Sequence, residues 1–110
     1  MIEVECHISI KKDGVCFLNP LKIELLKVIK SEGSLNSAAK FLKISYQHAW
    51  DLINEINSSA PEPLVTKRRG GANGGGAVVT TYGERIIKEY DSILKQVNKT
   101  VDQVNVEINL

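Results

Sequence analysis

The stretch GSLNSAAKFLKISYQHAWDLINEIN, residues 33–57, decides the fold. Gly33 ends the apolar run before it, and Ser34 is a helix cap whose hydroxyl can accept from free backbone N–H groups. Ala38, Ala39 and Leu42 recur at helical spacing to about Lys43, and the paired alanines allow another helix to approach closely. Ile44 fills a tight turn. Ser45 then caps a further helix in which Ala49, Ile53 and Ile56 fall on one side, at steps of four and three. Two short helices joined by so tight a turn form a helix-turn-helix pattern.

Upstream, Asn19-Pro20 starts a helix, because Asn can cap it and Pro tolerates its first position. Leu21, Leu25, Val28 and Ile29 share one face of that helix, with Leu26 beside it, and Gly33 ends it. Earlier still, Ile2, Val4, Cys6, Ile8 and Ile10 alternate with Glu3, Glu5, His7 and Ser9, the period of a half-buried strand. A turn at Asp13-Gly14 and the run Val15 to Leu18 complete an expected β-hairpin over residues 1–18.

Downstream, Pro61 and Pro63 close the helical region. Leu64-Val65-Thr66 and Ala77-Val78-Val79-Thr80 read as short strands flanking KRRGGANGGG, an exposed tip of basic residues and glycines. Thr81-x-x-Glu84 matches a capping box, and Thr80 is an equally placed cap. From there Ile86, Ile87, Tyr90, Ile93, Leu94, Val97, Val101 and Val104 form a helical stripe of about five turns. A domain this small does not readily cover such a stripe from within, which predicts a dimer seam built on Ile86, Tyr90, Ile93, Leu94, Val97 and Val101. The alternation of Val104, Val106, Ile108 and Leu110 is strand-like, so the pattern leaves open whether the helix stops near Gln103 or runs on.

The expected fold is therefore α+β and mainly α. It is a single winged helix-turn-helix domain over residues 1–110: a hairpin at 1–18, helices at 19–63, a wing at 64–80 and a dimerisation helix at 81–104. A chain of 110 residues, 43% hydrophobic and 25% charged, suits one domain with a modest core. No run approaches the roughly 20 apolar residues of a membrane span, and the start lacks a signal-peptide core, so no membrane association and a cytoplasmic location are expected.

The net charge of +1 does not by itself point to nucleic acid. Its distribution is more informative. Residues 1–63 carry seven Lys or Arg against eight acids and residues 77–110 four against five, whereas residues 64–76 carry three basic residues and no acid. With the third helix in the major groove, its outer side would offer Tyr46, Gln47, Asp51 and Asn54, with His48 and Trp50 at the margins. Gln and Asn can pair with adenine, Asp can accept from cytosine, and Tyr can touch phosphate or a thymine methyl. Lys67, Arg68 and Arg69 would neutralise phosphates, and Arg can also enter the minor groove. Double-stranded DNA is the expected partner, bound by a homodimer.

Other chemistries fit poorly. Cys6 and Cys16 lie too far apart for a disulfide across the expected hairpin, so they read as reduced packing cysteines. With His7 and His48 they make no standard metal pattern, and no metal or cofactor is expected. The glycine run lacks both the Gly-Lys-Ser/Thr closure and the G-x-G-x-x-G opening of nucleotide loops. No nucleophile and base come together, so the chain reads as non-enzymatic.

Residues 33–57, followed by PLVTKRRGGANGGGAVVTTYGERIIKEYDSIL, resemble the N-terminal DNA-binding domain of the ModE family of molybdate-dependent regulators, and more loosely the LysR-type winged helix. The resemblance covers roughly residues 19–95, and its most specific pieces are ISYQHAWDLINEIN, with a Trp in the recognition helix, and GGANGGGAVVTTYGERII. It implies a dimeric transcriptional regulator on an inverted-repeat operator. It assigns Ser45, Tyr46, Gln47, Trp50 and Asn54 to the recognition helix and residues 67–76 to the wing. That family carries molybdate on C-terminal domains, which this sequence does not reach, so the resemblance does not extend to molybdate sensing. A stand-alone form, a signal taken from a separate effector-sensing protein, and a piece of a longer chain are the alternatives. From another functional class, a winged-helix module for protein contacts without sequence-specific DNA binding is the rival reading.

Overall fold

The computed structural model describes residues 1–68 and 76–110. In chain order it contains β1 (Ile10–Lys12), β2 (Val15–Leu18), α1 (Pro20–Glu32), α2 (Leu35–Leu42), α3 (Tyr46–Ser58), β3 (Val65–Arg68), β4 (Gly76–Val79) and α4 (Thr81–Glu107). The two antiparallel hairpins, β1-β2 and β3-β4, are separate sheets. The chain is a winged helix-turn-helix: three helices followed by a hairpin and a long helix.

The helix boundaries follow local chemistry. Asn19 caps α1, its side chain accepting from the Lys22 N–H at 2.8 Å, and Pro20 occupies the first turn. Gly33 ends α1 in the left-handed region at φ 66°, its N–H bonding the Ile29 carbonyl at 2.8 Å. Leu18, Leu25, Leu26, Ile29, Leu35, Ile53, Ile56 and Leu64 form the centre of the core.

One face of α1 departs from the expected stripe. Leu21 is exposed, and the neighbouring Lys22 is buried instead. The apolar stem of Lys22 lies inside, while its ammonium donates to the Cys16 carbonyl at 3.0 Å and pairs with the partly exposed Glu55 at 3.1 Å. A single cation thus joins β2, α1 and α3.

The N-terminal hairpin is shorter than its alternating pattern suggests. Only Ile10–Lys12 pairs with β2, through a turn in which Asp13 (φ 52°) and Gly14 (φ 81°) are both left-handed. Residues 1–9 form no strand. They are held against α4 by side chains. The Tyr90 hydroxyl donates to the Ile8 carbonyl at 2.8 Å. The Asn105 amide accepts from the Val4 N–H at 2.6 Å and donates to the Val4 carbonyl at 3.0 Å. One side chain here makes the pair of bonds that a neighbouring strand would make. Val4 and Ile8 are accordingly half-buried, whereas Ile2 and Cys6 are exposed. Cys6 and Cys16 are both free thiols.

Thr80, and not Thr81, caps α4. Its oxygen accepts from the Gly83 N–H at 3.0 Å, and its hydroxyl donates to the Pro63 carbonyl at 2.8 Å. Gly83 is fixed by space, since a Cβ there would collide with the Leu64 carbonyl and the Val79 side chain. Of the two ends the sequence leaves open, the helix takes the later, continuing past Gln103 through Glu107, and the Ile108 N–H still reaches the Val104 carbonyl at 2.8 Å. The alternating valines find no strand to pair with, and the helical bonds satisfy their backbone.

The apolar stripe of α4 is divided between two neighbours. Ile87 and Tyr90 are buried in the core, and Ile86 and Leu94 pack against it. Leu94, Val101 and Asn105 border a groove of about 640 Å³ between α4, α1 and the N-terminal arm. Ile93 and Val104 remain exposed, with Val97 half-buried between them. Much of the predicted seam is therefore already covered within one chain. Among the described residues, no helix is long and apolar enough to cross a membrane.

Burial of Tyr90, aided by the Asp91 carboxylate and opposed by Lys27, raises its pKa above the ordinary 10.0. The phenol loses its proton more readily in the unfolded chain, so its stabilising effect is complete below pH 10 and declines as pH rises through the folded-state value. Tyr90→Phe is expected to cost about 1 kcal/mol at neutral pH through the lost bond to Ile8. It should also flatten the alkaline side of a plot of urea midpoint against pH.

Candidate nucleic-acid interface

The turn between α2 and α3 fixes the presentation of the second helix. Lys43 adopts a left-handed conformation at φ 57°, and the Ile44 N–H folds back to the Ala39 carbonyl at 3.0 Å. A non-glycine residue there carries a steric cost of roughly 1–2 kcal/mol, offset by the plugging of half-buried Ile44 against the core. Ser45 caps α3, its hydroxyl accepting from the His48 N–H at 3.0 Å.

Ala49, Ile53 and Ile56 face inward as their spacing predicts, joined by Leu52, which the spacing argument passed over. Ser45, Tyr46, Gln47, His48, Asp51 and Asn54 are exposed, and Trp50 is half-buried. Gln47, Asp51 and Asn54 follow one another at helical steps along a single outer edge. The Gln47 amide donates to the Asp51 carboxylate at 2.9 Å, so these two polar groups hold each other in the free protein.

The wing is a paired ribbon at its base. Val65 faces Val79, Thr66 faces Val78, Lys67 faces Ala77 and Arg68 faces Gly76. Lys67 and Arg68 therefore lie within β3 and not in a loose tip. Strand alternation sends them to opposite sides. Lys67 shares the side of buried Val65, and its ammonium lies 4.3 Å from the centre of the Trp50 ring. Tyr46 packs edge-on against the same ring, with centroids 6.3 Å apart and planes at 85°. Arg68 is exposed on the other side, across from Gly76, where a Cβ would come within 2.9 Å of the Arg68 Cβ. Arg69, the third basic residue of the expected wing, lies outside the described residues.

Asn57, in the last turn of α3, sets the wing against that helix. Its carbonyl oxygen accepts from the Leu64 N–H at 2.9 Å and the Val65 N–H at 3.3 Å, and its NH₂ donates to the Val65 carbonyl at 2.9 Å. On the other strand, the Ala77 N–H reaches the Gly33 carbonyl at 3.4 Å, and Gly76 bridges to Ser34. Neither Asn57 nor the Lys22–Glu55 pair is visible as functional from spacing, because each acts through groups distant in the sequence.

The structure thus brings Tyr46, Trp50 and Lys67 together at the start of α3, with Gln47, Asp51 and Asn54 along its outer edge. A helix-turn-helix whose second helix is open to solvent beside a basic hairpin defines the winged helix-turn-helix class. No protein-family model matches the chain. It is 43% identical over 91 residues to the transcriptional regulator ModE of Haemophilus influenzae, covering 83% of this chain and 36% of that protein. It is 41% identical over 101 residues to the DNA-binding transcriptional dual regulator ModE of Escherichia coli K12, covering 92% of this chain and 38% of that protein. Molybdenum-pterin-binding protein MopB of Rhodobacter capsulatus is 37% identical over 89 residues, which is 81% of this chain and 33% of MopB. The chain is thus similar to ModE transcriptional regulators over most of its own length, and it spans little more than a third of the length of the ModE relatives it matches.

Asn57→Ala removes three bonds at once and leaves strand backbone groups without their partner. A loss of about 1–3 kcal/mol in chemical denaturation is expected, with faster amide exchange at Leu64 and Val65.

Proposed function

We propose that this chain is the DNA-binding module of a cytoplasmic, sequence-specific transcriptional regulator that works as a homodimer on a palindromic duplex site. The outward edge of α3, formed by Gln47, Asp51 and Asn54 beside the basic base of the wing, is the observation that carries this reading. In the major groove, the amides of Gln47 and Asn54 are suited to adenine, the Asp51 carboxylate to cytosine N4, and the Tyr46 ring to a phosphate or a thymine methyl. Ser45 sits at the helix start, where backbone N–H groups favour a phosphate. Lys67, Arg68 and Arg69 serve the phosphate backbone. The expression of Gln47 as a reader requires its bond to Asp51 to open on contact with DNA.

The dimer reading rests on α4. Tyr90 is buried in its own protomer, so the seam is narrowed to the uncovered edge formed by Ile93, Val97 and Val104, with Val101 beside it. Two-fold symmetry would then place two α3 helices about one DNA turn, roughly 34 Å, apart.

Replacing Lys67, Arg68 and Arg69 together by Ala should weaken binding to all duplexes and reduce the slope of log affinity against log salt by up to about 3. Gln47→Ala and Asn54→Ala should instead relax base preference, each by about 1–3 kcal/mol for a bidentate contact. Titrations of a selected site and of mixed genomic DNA at several salt concentrations read both effects, and an unchanged slope with unchanged preference would remove this surface from the interface.

Val97→Asp would bury a charge in the apolar seam and should yield a monomer by sedimentation. A wild-type chain that stays monomeric at high concentration would defeat the dimer.

A further inference from the structure

Trp50 is the single tryptophan of the chain, and its setting differs from that of the polar residues around it. Gln47, Asp51 and Asn54 are exposed, whereas Trp50 is half-buried. Its ring is also already engaged. The Lys67 ammonium stands 4.3 Å from the ring centre, and the Tyr46 ring packs against it at 85°. An ammonium at that distance sits over the electron-rich face of the indole. That face is closed to a nucleobase. The opposite directions of Lys67 and Arg68 along β3 place only Lys67 in the crease between wing and helix.

We infer that Trp50 is a positioning residue and not a base reader: it pins the wing to the recognition helix through Lys67, so that this ammonium meets a phosphate at the rim of the groove that α3 enters. The phosphate role rests on the DNA-binding reading above, whereas the coupling of Trp50 to Lys67 exists in the free protein. Holding the charge in place before DNA arrives lowers the ordering cost of that contact. Phosphates carry no sequence, so the contribution is the same on every duplex.

The test uses the 110-residue chain with Trp50→Leu, Trp50→Phe, Lys67→Met, Lys67→Arg and the Trp50→Leu/Lys67→Met double variant. The probes are a duplex selected from random DNA and an unrelated duplex of equal length. Trp50→Leu should weaken both by the same factor, about two- to fivefold, with the ranking of sites unchanged. Trp50→Phe, which keeps an aromatic face, should recover most of the loss. The double variant should bind no more weakly than Lys67→Met alone, because each substitution breaks the same link. A changed site ranking in Trp50→Leu, or losses that multiply in the double variant, would overturn the proposal.

Indole emission and its quenching in the free protein provide a readout without DNA. Lys67→Met should alter both, and Lys67→Arg should keep them close to wild type. Identical emission and quenching in wild type and Lys67→Met would show that the ammonium does not hold the ring. If the wild-type chain binds neither duplex, the DNA reading and the phosphate role fall together, and the emission result still decides whether Trp50 holds the wing.

Discussion

A helix can offer only one side to its surroundings, and in this chain burial of Ala49, Leu52, Ile53 and Ile56 determines which side α3 offers. Each of these side chains contributes on the order of 1–3 kcal/mol when removed from water, apart from the smaller alanine. Turning the helix by one residue position would expose aliphatic surface and bury amide and carboxylate groups without partners. Both costs act in the same direction. The outward placement of Gln47, Asp51 and Asn54 is therefore a consequence of the core, and it is as firmly held as the core itself.

The wing is oriented by different forces. Leu64, Val65, Ala77 and Val79 bury its base in the core, and its angle is set by directional contacts: three hydrogen bonds at Asn57, further ones at Thr80 and Gly33, and the Lys67 ammonium over Trp50. Directional bonds fix an angle in a way that non-directional burial does not. The strand period then separates two adjacent cations, one turned toward α3 and the other away. A sequence that reads as a single basic cluster thus becomes two charges with different neighbours.

The parts of this architecture that depend on local periodicity were legible in the sequence. Caps at Asn19, Ser34 and Ser45, the end at Gly33 and the inner face of α3 all arise from residues within a turn of one another. The same reasoning failed where a distant group supplied the partner. Residues 2–8 alternate like a strand, yet Tyr90 and Asn105 hold them on a helix. The strand-like valines left the end of α4 open for the matching reason, since period alone cannot say whether a neighbouring strand exists. For the candidate site, the exposed residues of α3 could be listed from the sequence, but the engagement of Trp50 by Lys67 needed the fold to bring together positions in separate elements.

The amide of Asn105 gives the molecule one further property. By clasping Val4 it makes two segments at opposite extremes of the numbering neighbours in space, and nothing else in the described residues ties the backbone at Val4. The far turn of α4 and the first strip of chain are consequently one mechanical piece. A bend or fraying near Asn105 frees residues 1–7 before it disturbs the three-helix body, and a partner helix that grips α4 tightly steadies a segment it need not touch.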